Sequence, residues 1–272
     1  AANLFGLKEF GNIYSRLGNP TVGALEARLT ALEEGAMCVA LSSGTSAVMY
    51  SLINIMSQGD NFVTANQLYG GTYTMFDNIL PEYGIDSKKV DITDLAAVEN
   101  AIDDKTRAIY CETITNPGLV VADISALSEI AHSKGIPLIV DATFTTSAIL
   151  KPFEYGADIV VYSLTKWMSG HGRVIAGAVI EKGGFDWGNG NFPLYDKPDT
   201  SYGGMRWGHD LGDLGNVAYS LRLRTVPLRN LGANMGPETA FEVLSGLETL
   251  GLRMERHCEN AKKAAEYLLS LI

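Results

Sequence analysis

At 272 residues and 46% hydrophobic content, the chain is longer than one minimal domain and can build a substantial core. A formal net charge of −10 argues against a nucleic-acid surface, no apolar run approaches the length of a membrane span, and the start A-A-N-L-F-G-L-K-E-F resembles no secretory signal. Three cysteines (Cys38, Cys111, Cys258) and four histidines share no metal-ligand spacing, so no metal is indicated and the thiols read as reduced residues of a cytoplasmic protein.

Short apolar runs alternate with helical patterns along the chain, which predicts an α/β fold with a mostly parallel seven-stranded sheet wrapped by helices on both faces. Strands are expected at 37–41, 61–65, 88–91, 108–112, 137–141, 159–162 and 174–180, and helices at 21–34, 45–56, 72–83, 95–102 and 124–133. Residues 183–215 shift to Gly, Asp, Asn, Trp and Tyr with little periodicity, which predicts a long functional or partner-facing loop. Residues 237–271 read as one long amphipathic helix, with Glu242, Glu248, Arg253, Arg256, Glu259, Lys262, Lys263 and Glu266 facing out. The chain stops within that pattern without a capping glycine, which reads as a cut rather than a natural terminus.

Residues with chemical potential fall at the expected strand ends. Tyr14-Ser15-Arg16 precedes any helical pattern, and Arg16 is either solvated or a bidentate phosphate clamp. Ser42-Ser43-Gly44-Thr45-Ser46 follows a strand and opens a helix, forming either a plain N-cap or an anion site whose small residues leave room for a phosphate. There is no P-loop lysine, and no G-x-G-x-x-G stands where a dinucleotide fold needs it. The Tyr69 ring, after the strand 61–65, either fills the core or offers its face to a flat heteroaromatic ligand. Asn116-Pro117 is a turn or an amide at the same edge.

Asp141 ends an apolar strand, where its carboxylate either caps the next turn or holds a pyridine nitrogen protonated. Lys166 stands at the mouth of the run 157–162, flanked by Ser163 and Thr165 and followed by Gly170 and Gly172. It is either a solvated loop lysine or an amine whose costly desolvation favours the neutral, Schiff-base-forming state. Together these are the parts that pyridoxal 5′-phosphate requires: a lysine for its aldehyde, an acid for its ring nitrogen, a ring to stack and donors for its phosphate.

Nearly the whole chain resembles the cystathionine/methionine-metabolism family of fold-type I pyridoxal-phosphate enzymes. The stretches that carry the likeness are Y-S-R-L-G-N-P-T at 14–21, S-S-G-T-S-A at 42–47, L-Y-G-G-T-Y at 68–73, E-T-I-T-N-P at 112–117, V-D-A-T-F at 140–144 and S-L-T-K-W-M-S-G-H-G at 163–172. The resemblance implies that Lys166 carries the cofactor, Asp141 partners its pyridine nitrogen, Tyr69 stacks on the ring and assists catalysis, and Asn116 lies near the ring hydroxyl. It implies that Gly44, Thr45, Ser163 and Thr165 hold the phosphate. Tyr14 and Arg16, within an arm at 1–20, would then reach a neighbouring subunit's site in a homo-oligomer, a catalytic dimer commonly paired into a tetramer. By the same likeness the cofactor-binding large domain spans 21–236. Residues 237–272 begin the helix leading to a C-terminal small domain that is absent here, together with its carboxylate-binding arginine.

Within the family, residues 183–204 look like the post-lysine segment of the O-acetylhomoserine sulfhydrylase branch. Gly71 stands where methionine γ-lyases place a cysteine. Three positions depart from the branch pattern: Gly203 replaces a histidine, Ala142 an asparagine and Thr45 a methionine. The implied reaction joins O-acetylhomoserine, a small amino-acid substrate, to a sulfur donor, sulfide or a thiol. The rival readings are cystathionine synthesis or γ-elimination on the same fold, a non-catalytic scaffold, and a nucleotide-binding module.

Overall fold

The computed structural model describes residues 11, 12 and 14–271, so the expected arm at 1–20 lies partly outside the described residues. Seven strands form one sheet: β1 (Met37–Leu41), β2 (Asn61–Ala65), β3 (Asp86–Val90), β4 (Thr106–Glu112), β5 (Leu138–Asp141), β6 (Ile159–Ser163) and β7 (Gly177–Glu181). Their spatial order is β1-β7-β6-β5-β4-β2-β3, with β7 antiparallel to both neighbours and the other pairings parallel. Every residue of β2, β4 and β7 is buried. Runs without polar alternation belong to strands covered on both faces, and helices supply the cover.

The helices begin where side chains satisfy their first amides. Asn19 Oδ1 accepts from the Thr21 amide (3.0 Å) ahead of α1 (Pro20–Glu33), with proline at its first position. Ser43 Oγ accepts from the Ser46 amide (3.0 Å) to start α2 (Gly44–Ile53). After α3 (Gly70–Thr74), Asp94 and Asp123 cap α4 (Leu95–Ala101) and α5 (Ile124–Ser133) in the same way.

Because β7 runs against both neighbours, β1, β6, β5, β4 and β2 all point their carboxyl ends to one edge. Register pairs Leu41 and Ser163 with Gly177, and Glu112 with Asp141. The helix start at Gly44 nestles between β6 and β7. A Cβ at Gly44 would stand 2.5 Å from Ser163 Cβ, and one at Gly177 would stand 2.1 Å from the Ser43 carbonyl oxygen. Glycine at both positions brings the amides of α2 against the end of β6.

Several sequence expectations are corrected. The strand expected at 174–180 starts only at Gly177, because Ala176 bonds through both its amide and its carbonyl to the Thr165 hydroxyl instead of a full ladder. The helix expected at 72–83 divides into α3, a π turn at Met75–Ile79 and a 3₁₀ turn at Leu80–Tyr83, with Pro81 entering where an α-helix would need its amide.

Residues 183–215 are irregular but face inward. They include helical turns at Pro193–Asp196 and Thr200–Tyr202, and Trp187, Phe192, Tyr195 and Trp207 are all buried. Trp187 stacks on Tyr195 and on Tyr219, the latter in α6 (Ala218–Leu223), a helix the periodicity did not disclose.

The single long helix is broken. α7 (Pro237–Leu247) and α8 (Leu250–Leu269) meet at Glu248–Thr249, where Gly246 packs so closely that a Cβ would stand 2.2 Å from the Ser169 carbonyl oxygen. Arg253 does not face out. Its guanidinium donates to the carbonyls of Gly246 (2.8 Å) and Trp167 (2.7 Å) and so joins α8 to the turn carrying Lys166.

The aromatic cluster encloses an acid. Glu181 accepts from the Ser220 amide (2.8 Å) and from Trp187 Nε1 (3.3 Å), and burial pushes its pKa from 4.5 to about 7. A carboxyl whose folded pKa is raised favours the folded state fully below the unfolded value and loses that contribution as pH climbs through the folded one. The thermal midpoint is therefore expected to fall between pH 5 and pH 8. The E181Q variant, compared across the same range by calorimetry, should show a shallower fall; an unchanged slope would remove Glu181 from this account.

Candidate active site

The carboxyl edge of the sheet opens into a cavity of about 590 Å³. Its wall carries Gly44 and Thr45 from α2, Tyr69 before α3, Glu112 and Asn116 at and after β4, Asp141 at the end of β5, and Ser163, Thr165 and Lys166 at and after β6. Eight sequence-predicted site residues thus meet on one cavity. Tyr14 and Arg16 are not on its wall. They lie in the turn before α1, with Tyr14 exposed and the Arg16 guanidinium 5.2 Å from its ring centroid. The Leu17 carbonyl of that turn accepts from Arg224 Nη1 (2.9 Å), while Arg224 Nη2 pairs with Glu26 of α1 (2.8 Å).

Lys166 projects from the turn between β6 and β7, anchored by its own amide to the Ser163 carbonyl (3.3 Å) and by the Gly170 amide to its carbonyl (2.9 Å). Its side chain is exposed toward the cavity. Among the described residues its Nζ has no hydrogen-bond or ion-pair partner, so the amine is available because nothing else claims it. Trp167, the next residue, packs against His257 of α8 at 4.7 Å between ring centroids.

Asp141 faces the same space. Its Oδ1 accepts from the Thr143 amide (2.9 Å) and its Oδ2 from the Tyr110 hydroxyl (3.4 Å), with no cation paired to it among the described residues. Burial raises its pKa, and the Thr143 and Tyr110 hydrogen bonds only partly offset this. A carboxylate in that state gains from any positive charge brought against it. Tyr69 is half exposed, and its ring lies back over Gly71, where a Cβ would stand 2.7 Å from the ring. The Asn116 side-chain amide is exposed on the wall, without a partner among the described residues.

The anion end is built from α2 and β6. The first amides of a ten-residue helix have no intrahelical acceptor, and they open beside Ser163, whose hydroxyl has no partner among the described residues. The Thr165 hydroxyl is shared with Ala176, donating to its carbonyl (3.1 Å) and accepting from its amide (2.9 Å), so its proton is already committed.

These features fit pyridoxal phosphate. An unclaimed amine, a raised carboxyl without a cation, an exposed aromatic face and a helix start beside a free hydroxyl all border one space. That space is of the size usual for small-ligand sites, roughly 300–1,000 Å³. Sequence reasoning passed over Glu112, Thr143 and Trp167 on or beside this wall. Glu112 was legible only as a carboxylate closing an otherwise apolar strand, a position that needs an explanation whenever the strand is buried.

The family described as Cys/Met metabolism PLP-dependent enzyme matches residues 1–270. The chain is 46% identical over 273 residues to the O-acetyl-L-homoserine sulfhydrylase of Leptospira meyeri, covering 98% of this chain and 62% of that protein. Among solved structures, one from Campylobacter jejuni named for O-acetylhomoserine (thiol)-lyase superposes with a TM-score of 0.95 at 41% identity, covering 99% of this chain and 66% of that one, and contains a pyridoxyl-lysine 5′-monophosphate. A cystathionine γ-lyase from Lactobacillus plantarum, complexed with L-serine, gives a TM-score of 0.77 at 34% identity over 96% of this chain and 60% of that one. The chain thus spans about three-fifths of the length of the sulfhydrylase it matches.

Proposed function

This chain belongs to the family of Cys/Met metabolism PLP-dependent enzymes, and on that premise we propose that the protein carrying it replaces the acetate of O-acetyl-L-homoserine with sulfide or a thiol. With sulfide, the Cγ–O bond breaks, a Cγ–S bond forms, and homocysteine and acetate leave; with methanethiol the product is methionine. The observation that carries the reading is the unclaimed amine of Lys166 sharing one cavity with Asp141. The greater likeness to a sulfhydrylase than to a γ-lyase favours replacement over elimination.

Bound pyridoxal phosphate supplies an electron sink that lets a proton leave the carbon bearing the substrate's amino group. Lys166 would hold its aldehyde and, once displaced by the substrate amine, take up the Cα proton and return it. Asp141 would keep the ring nitrogen protonated, because a positive charge there would offset the burial that disfavours its carboxylate. Tyr69 would stack on the ring and assist proton movement at the leaving group, while Asn116 would approach the ring hydroxyl. The α2 amides at Gly44 and Thr45, with the Ser163 hydroxyl, would bind the phosphate, and Thr165 would join them by turning its hydroxyl proton away from the Ala176 carbonyl. Tyr14 and Arg16, which this cavity does not use, would serve the site of a second copy in a homo-oligomer, a dimer of dimers.

The test supplies O-acetylhomoserine to the whole protein with and without sulfide. Homocysteine formed only with sulfide is expected. Accumulation of 2-oxobutyrate regardless of sulfide would replace this reading with γ-elimination.

A further inference from the structure

Glu112 closes β4 on the cavity wall, and its carboxylate is divided between two segments remote in sequence. Oε1 accepts from the Tyr69 amide (2.8 Å), and Oε2 accepts from the Asn116 amide (2.9 Å). The residue is 6% exposed, and no cation pairs with it among the described residues. Among the described residues neither the Tyr69 ring nor the Asn116 side chain has a hydrogen-bond partner, so their placement depends on their main chains. Those main chains meet on this one carboxylate.

We propose that Glu112 is a positioning residue, a carboxylate strap that ties the main chain at Tyr69 to the main chain at Asn116 and so sets the gap between the ring-stacking and amide walls of the cavity. The proposal rests on the cofactor reading above. A neutral side chain of the same shape cannot do the job, because both tethers need an acceptor and a glutamine offers only one. An aspartate is one methylene too short to reach both amides. Loss of the first tether leaves the Tyr69 main chain held through its carbonyl, which accepts from the Tyr73 amide (2.8 Å), and loss of the second leaves Asn116 beside Thr115, whose amide donates to the Val120 carbonyl (2.9 Å).

The strap is also sensitive to protons. Burial pushes the Glu112 carboxyl up to about 7. The Tyr69 and Asn116 amides pull it down and the negative charge of Asp141 pushes it up. The groups facing it are Asp141 from β5, Tyr110 and Cys111 on its own strand, Tyr69 before α3, and Lys166 across the cavity. Protonation converts one oxygen to a donor and loosens that tether, so cofactor binding should weaken as pH falls below about 7.

The test compares wild type, E112Q and E112D in the whole protein by two measurements. The first is pyridoxal phosphate affinity between pH 5.5 and 8.5. The second is hydrogen exchange, in the cofactor-free protein, of the peptides containing Tyr69 and Asn116. Both variants are expected to bind the cofactor about ten to a hundred times more weakly at pH 8. Both peptides should exchange faster together, and E112Q should lose the wild type's decline in affinity at low pH. A merely structural role would lower the melting temperature of E112Q while leaving affinity, its pH profile and one of the two peptides untouched, and that result would overturn the proposal. If wild type takes up no cofactor yet the variants loosen both peptides, the strap stands and the cofactor reading falls. If wild type loads and the variants match it, the strap falls and the cofactor reading stands.

Discussion

Replacing Lys166 by alanine is expected to lower turnover of O-acetylhomoserine on the order of a thousandfold or more, with the visible colour of the bound cofactor lost as well. The expectation follows from the isolation of the amine. Nothing else in the cavity can form the bond to an aldehyde, since Lys166 is the only lysine on its wall among the described residues. Folding should be unaffected, because the turn is held through main-chain atoms: the Lys166 amide on Ser163, and the Trp167 carbonyl under Arg253. Turnover within a few-fold of wild type in a K166A protein of unchanged melting temperature would remove the lysine from the chemistry.

The second large effect is expected at Asp141. The D141N change keeps the shape and the acceptor that the Thr143 amide uses, but removes the negative charge. Without that charge a ring nitrogen loses the partner that favours its protonated form, and the electron sink weakens. A loss of about a hundredfold to ten-thousandfold in kcat/KM is expected, with cofactor affinity reduced far less. The raised pKa of Asp141 makes the assignment testable from the other side. A cation bound against it should pull the carboxyl back down, so its titration should shift to lower pH when the cofactor is added. If D141N retained near-wild-type turnover, the acid would be a turn cap and nothing more.

The carboxyl edge of the sheet was largely legible because of its periodicity. Apolar runs such as those ending at Leu41, Glu112 and Ser163 are buried on both faces, and chemistry-bearing residues directly after them must emerge at a sheet edge. That logic found Gly44, Asp141 and Lys166 as neighbours although long stretches of sequence separate them. It could not find contacts made by residues that look ordinary where they stand. Arg253 has the spacing of a solvated helix face, yet it bonds the turn after Lys166, since the helix breaks at Thr249 and swings it inward. Residues 183–215 read as a functional or partner-facing loop because their aromatics follow no period. They are held instead by stacking of Trp187 on Tyr195 and Tyr219, which only the folded chain brings together. Glu112 was hidden for the same reason: its partners are main-chain amides, which have no signature in a sequence.

The central claim is a covalent one, and mass spectrometry reads it directly. The whole protein would be supplied with pyridoxal phosphate, reduced with borohydride and digested. A phosphopyridoxyl group on the peptide containing Lys166, absent in the K166A protein, is the predicted result. The same group found only on other lysines, or on none, would contradict the account.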